Sequence, residues 1–146
     1  MARIKLSLPE NILFNIQIPI RISDLNYGNH LANHVYLEYM QEARMHYFNQ
    51  WNWSEKNLAG VGVIMGDVAV VYKAECFYGD VLSIEIGAGD FGKRSFDLMY
   101  RMTNQNGIVV CEAKTGMVCF DYTDRKTVSV PKEFQEVANA INDKEN

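Results

Sequence analysis

The stretch RISDLNYGNHLANHVYLEYMQEAR, Arg21 to Arg44, decides how the rest of this chain reads. Its first part, Ser23 to His30, is dense in residues that favour tight backbone bends. Its second part has helical spacing. Tyr36, Met40, Ala43 and Tyr47 fall in one apolar row, and Leu37, Met40, Phe48 and Trp51 in a neighbouring one. The spacing predicts a helix from about Ala32 to Trp51. Together the rows make a stripe wide enough for a helix wrapped by a sheet rather than lying on a surface.

Upstream, Ile12, Phe14, Ile16, Ile18 and Ile20 alternate with Asn11, Leu13, Asn15, Gln17, Pro19 and Arg21. Period two predicts a half-buried strand, and Pro19 on its other face points to an edge or a bulge. Downstream, Gly62 to Asp121 reads as strand after strand. Val68, Val70, Tyr72, Ala74 and Cys76 alternate up to Tyr78-Gly79-Asp80, then Leu82, Ile84, Ile86 and Ala88 up to Gly89–Gly92. Phe96, Leu98, Tyr100 and Met102 follow, and Asn104-Gln105-Asn106-Gly107 is a hairpin turn leading into a long strand from Ile108 to Asp121. Pro131, with Glu133, Phe134 and Val137 behind it, opens a short C-terminal helix. Strand, long helix, then consecutive hairpins predicts an α+β fold, an antiparallel sheet wrapped around one long central helix.

The bulk numbers fit one domain over residues 1–146. A hydrophobic fraction of 48%, a charged fraction of 22% and a net charge of −4 describe an ordinary soluble protein and argue against nucleic acid as a partner. The first ten residues hold no apolar run of signal-peptide length, and Val61 to Tyr72 is too short to span a bilayer, so no membrane partner is expected. Cys76, Cys111 and Cys119 are an odd set in strand-like runs and read as buried thiols of a reducing compartment, which makes the cytoplasm the default. No Walker-type loop or G-x-G-x-x-G is present. His30 and His34 stand four apart, but no Glu follows His30 and no third ligand is evident, so no metal site is expected.

With these elements in place, Arg21 to Arg44 resembles the signature of the hotdog-fold 4-hydroxybenzoyl-CoA thioesterase-like family, D-x-D-x-x-G-H-V-N-N-x-x-Y followed by a helix with E-x-A-R. Asp24, His30, Asn33, Tyr36, Glu42, Ala43 and Arg44 fall at matching offsets. Tyr78-Gly79-Asp80-Val81-Leu82, Lys93-Arg94-Ser95-Phe96, Thr115 to Phe120 and Val130-Pro131 resemble later family segments, so the likeness runs from about Ile16 to Pro131.

The resemblance implies an acyl-CoA thioesterase that needs neither metal nor redox cofactor. It places the donor that polarises the thioester carbonyl at or next to Asn33, where free N–H groups and the helix dipole favour an oxyanion. Asn33 is equally a good helix cap. The family's working carboxylate is the second Asp of D-x-D, and this chain has Asn26 there. An amide cannot act as a base, although it can orient a water. Gly28 also stands one residue earlier than usual, and Asn29 takes the glycine's place.

Three residues are candidates to replace the carboxylate. Asp24 would share a side with Asn26 on extended backbone, or order the loop as an Asx turn. His30 would be a base near neutrality, or a loop hydrogen-bonding group. Asp67, the sole charge between Gly60 and Tyr72, would be functional or structurally partnered. Arg44, on the helix, reads as a structural ion-pair or helix-surface residue rather than a catalyst. Tyr36, Lys93, Arg94 and Ser95 are the expected substrate contacts, the basic pair facing coenzyme A phosphates or merely ending a solvated hairpin.

In related hotdog proteins the site forms between subunits, and Val61 to Phe77 suits a pairing strand, so a homodimer or homotetramer is expected. The alternatives are a non-catalytic acyl or acyl-CoA binder that has lost the Asp, and, last, a hotdog dehydratase.

Overall fold

The computed structural model describes residues 3–10, 12 and 14–142. In chain order the elements are β1 (Phe14–Pro19), a 3-10 turn (Ile22–Asp24), α1 (Val35–Asn49), β2 (Gly62–Tyr72), β3 (Val81–Gly89), β4 (Ser95–Thr103), β5 (Val109–Asp121), β6 (Lys126–Thr127) and α2 (Lys132–Asn142). The strands form one antiparallel sheet in the order β1-β3-β4-β5-β2, with β6 added to β5. The expected α+β architecture is present.

The alternation read from the sequence is the alternation of the sheet. Leu82, Ile84, Ile86 and Ala88 of β3, and Phe96, Leu98, Tyr100 and Met102 of β4, turn inward and are buried. They meet the wide face of α1, where Tyr36, Tyr39, Met40, Ala43, Tyr47 and Phe48 are also buried. Hydrophobic burial of this kind contributes about 25 cal/mol per Å2 of apolar surface and is what curls the sheet over the helix. Phe134 of α2 seals one end, contacting the rings of Phe48, Trp51, Trp53, Phe91 and Phe96.

Several boundaries differ from expectation. α1 begins at Val35 rather than Ala32, because residues 32–34 enter as a turn in which Val35 N–H donates to Ala32 O at 3.0 Å. Of the expected first strand, Phe14 to Pro19 is regular, while Asn11 and Leu13 lie outside the described residues. Pro19 sits on an edge strand, where its missing N–H leaves no ladder bond unmade. The strand expected to run on to Cys76 stops at Tyr72, and Lys73 to Asp80 is irregular.

β2 is the other edge, and its ladder with β5 slips between Met65 and Asp67, leaving Gly66 as the extra residue of a bulge. Met65, Val68 and Tyr72 pair with the inward-facing Met117, Thr115 and Cys111, yet remain 42%, 43% and 47% exposed because no element lies beyond them.

Candidate functional site

The 3-10 turn delivers Asp24 into the protein. Its carboxylate accepts the Arg21 backbone N–H at 3.1 Å, the Arg21 guanidinium at 3.1 and 3.3 Å, and the Tyr39 hydroxyl at 2.5 Å. The Asp24 carbonyl accepts Ala32 N–H at 3.1 Å, so one residue pins both ends of the loop. Burial pushes the carboxyl upward, but the bonds from Arg21 and Tyr39 outweigh it and hold it below the usual carboxylate value. Every one of these contacts is a clamp contact, which is the loop-ordering role rather than that of a free base.

A folded-state value below the unfolded one means that Asp24 stabilises the protein fully above the ordinary range near 3.8, and that this is lost as pH falls through the lower folded value. Urea midpoints followed from about pH 5 to about pH 2 should therefore drop more steeply for wild type than for Asp24→Asn. Parallel slopes would remove Asp24 from the acid sensitivity.

Asn26 uses its side-chain oxygen to accept Gly28 N–H at 2.9 Å, an Asx turn. Asn29 then takes a left-handed φ of 65°. A methyl group at position 28 would lie 3.2 Å from both Asn26 Oδ1 and His30 Nε2. The early glycine thus lets amide and imidazole approach each other from either side of it.

His30 and Asn33 line a cleft of about 270 Å3 with Tyr36, Tyr72, Glu75 and Cys76. The Asn33 side chain is exposed and, among the described residues, makes no cap bond to the helix; nor does any group accept the Asn33 N–H. The Tyr72 hydroxyl donates to the Asn33 carbonyl at 2.8 Å, fixing that peptide at the cleft rim. Tyr36 and Tyr72 meet edge to face, and the Tyr36 hydroxyl donates to Cys76 Sγ at 3.4 Å. Burial pushes the Cys76 thiol up, so it is held protonated and is a poor nucleophile.

The remaining predicted residues lie elsewhere. Asp67, next to the bulge, pairs with outward-facing Gly116 and accepts the Lys114 ammonium at 2.8 Å and Gly116 N–H at 3.0 Å. It is partnered on the opposite face of the sheet from the cleft, and the Lys114 bond holds its carboxyl below the usual value. Lys93 and Arg94 are exposed in the connection into β4, where Arg94 donates to Thr127 Oγ1 at 3.0 Å, and Ser95, also exposed, opens that strand. Ser95 pairs with Val118, which pairs with Ile64. Tyr72, at the cleft, stands eight residues along β2 from Ile64, roughly 25 Å away at strand spacing. Within one chain, then, His30, Asn33 and Tyr36 come together around the cleft with Asn26 beside them, while Asp67 and the basic segment do not.

Glu75 escaped the sequence reading, as did Tyr39, the buried partner of Asp24. Arg44 is buried as an ion-pair residue, its Nε donating to Glu55 at 2.6 Å and its Nη1 to the Tyr100 hydroxyl at 3.3 Å. Among the described residues no three His, Cys, Asp or Glu side chains converge as a metal site would need, and no helix is long and apolar enough to cross a membrane.

A sheet curled over one helix, with a loop and cleft at the helix start, is the hotdog arrangement. The family model of the thioesterase-like superfamily matches residues 20–138, and the chain belongs to that superfamily. Its fold is similar to that of YbaW of Escherichia coli (TM-score 0.74, 24% identity, 84% of this chain and 93% of that one). It is similar also to the 1,4-dihydroxy-2-naphthoyl-CoA thioesterase of Synechocystis (0.77, 18%, 91% and 98%). A third likeness is to a thioesterase of Thermus thermophilus solved with coenzyme A and Zn (0.76, 22%, 87% and 92%). No curated protein matches the sequence.

Proposed function

We propose that this protein hydrolyses acyl-coenzyme A thioesters to a free acid and coenzyme A. The observation that carries this reading is the Asn33 N–H, which has no acceptor among the described residues, on a residue that lines the cleft with His30 just before α1. The thioester oxygen accepts that N–H, where the helix dipole stabilises the charge that develops on it. A water held by His30 and the Asn26 amide attacks the carbonyl carbon and gives a proton to the imidazole. The C–S bond breaks, and the proton passes to the departing sulfur. Glu75 is the carboxylate that the chain's own cleft offers in place of the missing Asp, and Tyr36 and Tyr72 provide an aromatic wall for the substrate.

The whole chain acts as one domain in a reducing cytoplasm, which suits its free, buried cysteines. Its working form is a homodimer or a tetramer of dimers, paired through the β2 edge. The separation of roughly 25 Å along β2 keeps Lys93, Arg94 and Ser95 from the cleft of their own chain. In the dimer they hold the coenzyme A phosphates of a substrate bound to the other subunit.

Free-thiol release from a panel of aliphatic and aromatic acyl-CoAs tests this. Wild type should turn over at least one of them, and His30→Ala should lose most of that rate, on the order of 10²-fold. If wild type binds acyl-CoA without turnover and Asn26→Asp creates it, the protein is a binder instead. That second reading draws on the Asx turn, which already engages the Asn26 oxygen.

A further inference from the structure

Two groups in the cleft have nothing bonded to them. His30 is half-buried, and among the described residues neither of its ring nitrogens has a hydrogen-bond partner. The loop defines how the ring lies. A methyl group at position 28 would be 3.2 Å from Nε2 and 3.6 Å from Cδ2, so that edge of the ring is turned to Gly28 and, beyond it, to Asn26. Nε2 is thus the nitrogen on the side of the Asn26 amide, and Nδ1 belongs to the far edge of the ring. Glu75 is exposed, and its carboxylate likewise has no partner among the described residues. Its neighbour Lys73 is already engaged, 2.9 Å from Glu112.

The backbone keeps these two residues together. Leu31 N–H donates to the Cys76 carbonyl at 2.8 Å, so His30 and Glu75 each stand one residue before an end of the same bond, and both line the cleft of about 270 Å3. Other acceptors around it are occupied: the Asn33 carbonyl by the Tyr72 hydroxyl, the Cys76 carbonyl by Leu31, and the Cys76 sulfur by the Tyr36 hydroxyl. Among the described residues, Glu75 is the one carboxylate that lines the cleft. A neutral imidazole that takes a proton at Nε2 must carry its own on Nδ1. An acceptor at Nδ1 selects that tautomer and stabilises the imidazolium that forms.

We propose that Glu75 and His30 work as a dyad, in which the Glu75 carboxylate accepts the Nδ1 proton of His30 and presents Nε2 to the attacking water. This rests on the hydrolase reading above and deepens it. No hydrogen bond joins the two in the free protein. The Glu75 side chain is flexible, and it turns onto the ring when a bound acyl group displaces water from the cleft, which strengthens the bond between them. In the reaction the water oxygen attacks the carbonyl carbon and its proton goes to Nε2. As the C–S bond breaks, that proton passes to the sulfur, giving the acid and the coenzyme A thiol. Glu75 stays ionised throughout, a positioning residue that acts through His30. The loop therefore tolerates Asn26 because the segment after β2 supplies the carboxylate.

Thiol-release kinetics on the best acyl-CoA, with thermal melts to confirm folding, test the dyad. Glu75→Ala should lower kcat by more than about tenfold while KM stays within about threefold, because the carboxylate is needed for proton transfer and not for binding. Added formate, a carboxylate small enough to enter the vacated space, should restore at least about a third of the lost rate. A merely structural glutamate would show no such rescue. The double variant His30→Ala with Glu75→Ala should be no slower than His30→Ala alone, and formate should do nothing for it, since one residue acts only through the other. Glu75→Ala at full rate overturns the proposal, and so does a failure of formate to restore it. A double variant slower than His30→Ala by the full Glu75 factor also overturns it, because Glu75 would then act on the water or the substrate directly. Absence of wild-type turnover on every acyl-CoA would sink the hydrolase reading and the dyad with it, whereas wild-type turnover with an unaffected Glu75→Ala sinks the dyad alone.

Discussion

Replacing Asn33 with proline should lower kcat by about 10²- to 10³-fold, whereas Asn33→Ala should stay within about threefold of wild type. The two variants separate a backbone donor from a side chain. Proline deletes the N–H assigned to the oxyanion, and that N–H has no other acceptor among the described residues, so its loss breaks no internal bond. The position precedes the first residue of α1, where proline does least harm to a helix. Alanine keeps the N–H and removes only an exposed side chain that makes no cap bond. Thiol-release kinetics on the best acyl-CoA, with circular dichroism to confirm the fold, check both. Equal loss in the two variants would give the role to the side chain, and no loss in either would end the oxyanion assignment.

Arg44→Ala should cost about 3 kcal/mol of stability, because it removes a buried side chain with its bonds to Glu55 and Tyr100 and leaves space under α1. For a domain of this size that is a fall in Tm of roughly 10 °C or more. The Arg44 side chain is nearly enclosed, and it links Glu55 on the loop after α1 to Tyr100 on β4, whose hydroxyl lies 2.8 Å from Thr115 Oγ1 on β5. One guanidinium thus ties helix, loop and two strands together. Arg44→Met fills much of the same volume without a charge, and should lose clearly less than alanine. Thermal melts of the three proteins measure this. A methionine variant as unstable as alanine would show that the hydrogen bonds, not the packing, carry the difference.

The helix, the hairpin at Asn104–Gly107 and the strands after it were legible because one buried face imposes a strict period on each. The nearness of His30, Asn33 and Tyr36 to one another follows from their spacing, since a short loop entering a helix leaves little freedom of placement. The rest depended on where chains stop and turn. Glu75 looked like the solvent face of a strand running to Cys76. Only because β2 ends at Tyr72 does the chain bend and bring Glu75 to the cleft. Asp67 stood out as a lone charge in an apolar run, but its partner Lys114 is far away in sequence and joins it only through β2–β5 pairing. The distance of Lys93 and Arg94 from the cleft is likewise set by strand register, which local patterns do not encode.

The bulge at Gly66 bears on solubility. A long apolar sheet edge invites any extended segment, including those of unfolding neighbours, to add to it and start an open-ended stack. The opposite edge is blunted by Pro19. On β2 the slip between Met65 and Asp67 increases the local twist, and the Glu55 carbonyl already occupies Val63. A flat incoming strand finds only a short, warped template. The irregularity makes this edge a poor template for unrelated strands and so discourages aggregation.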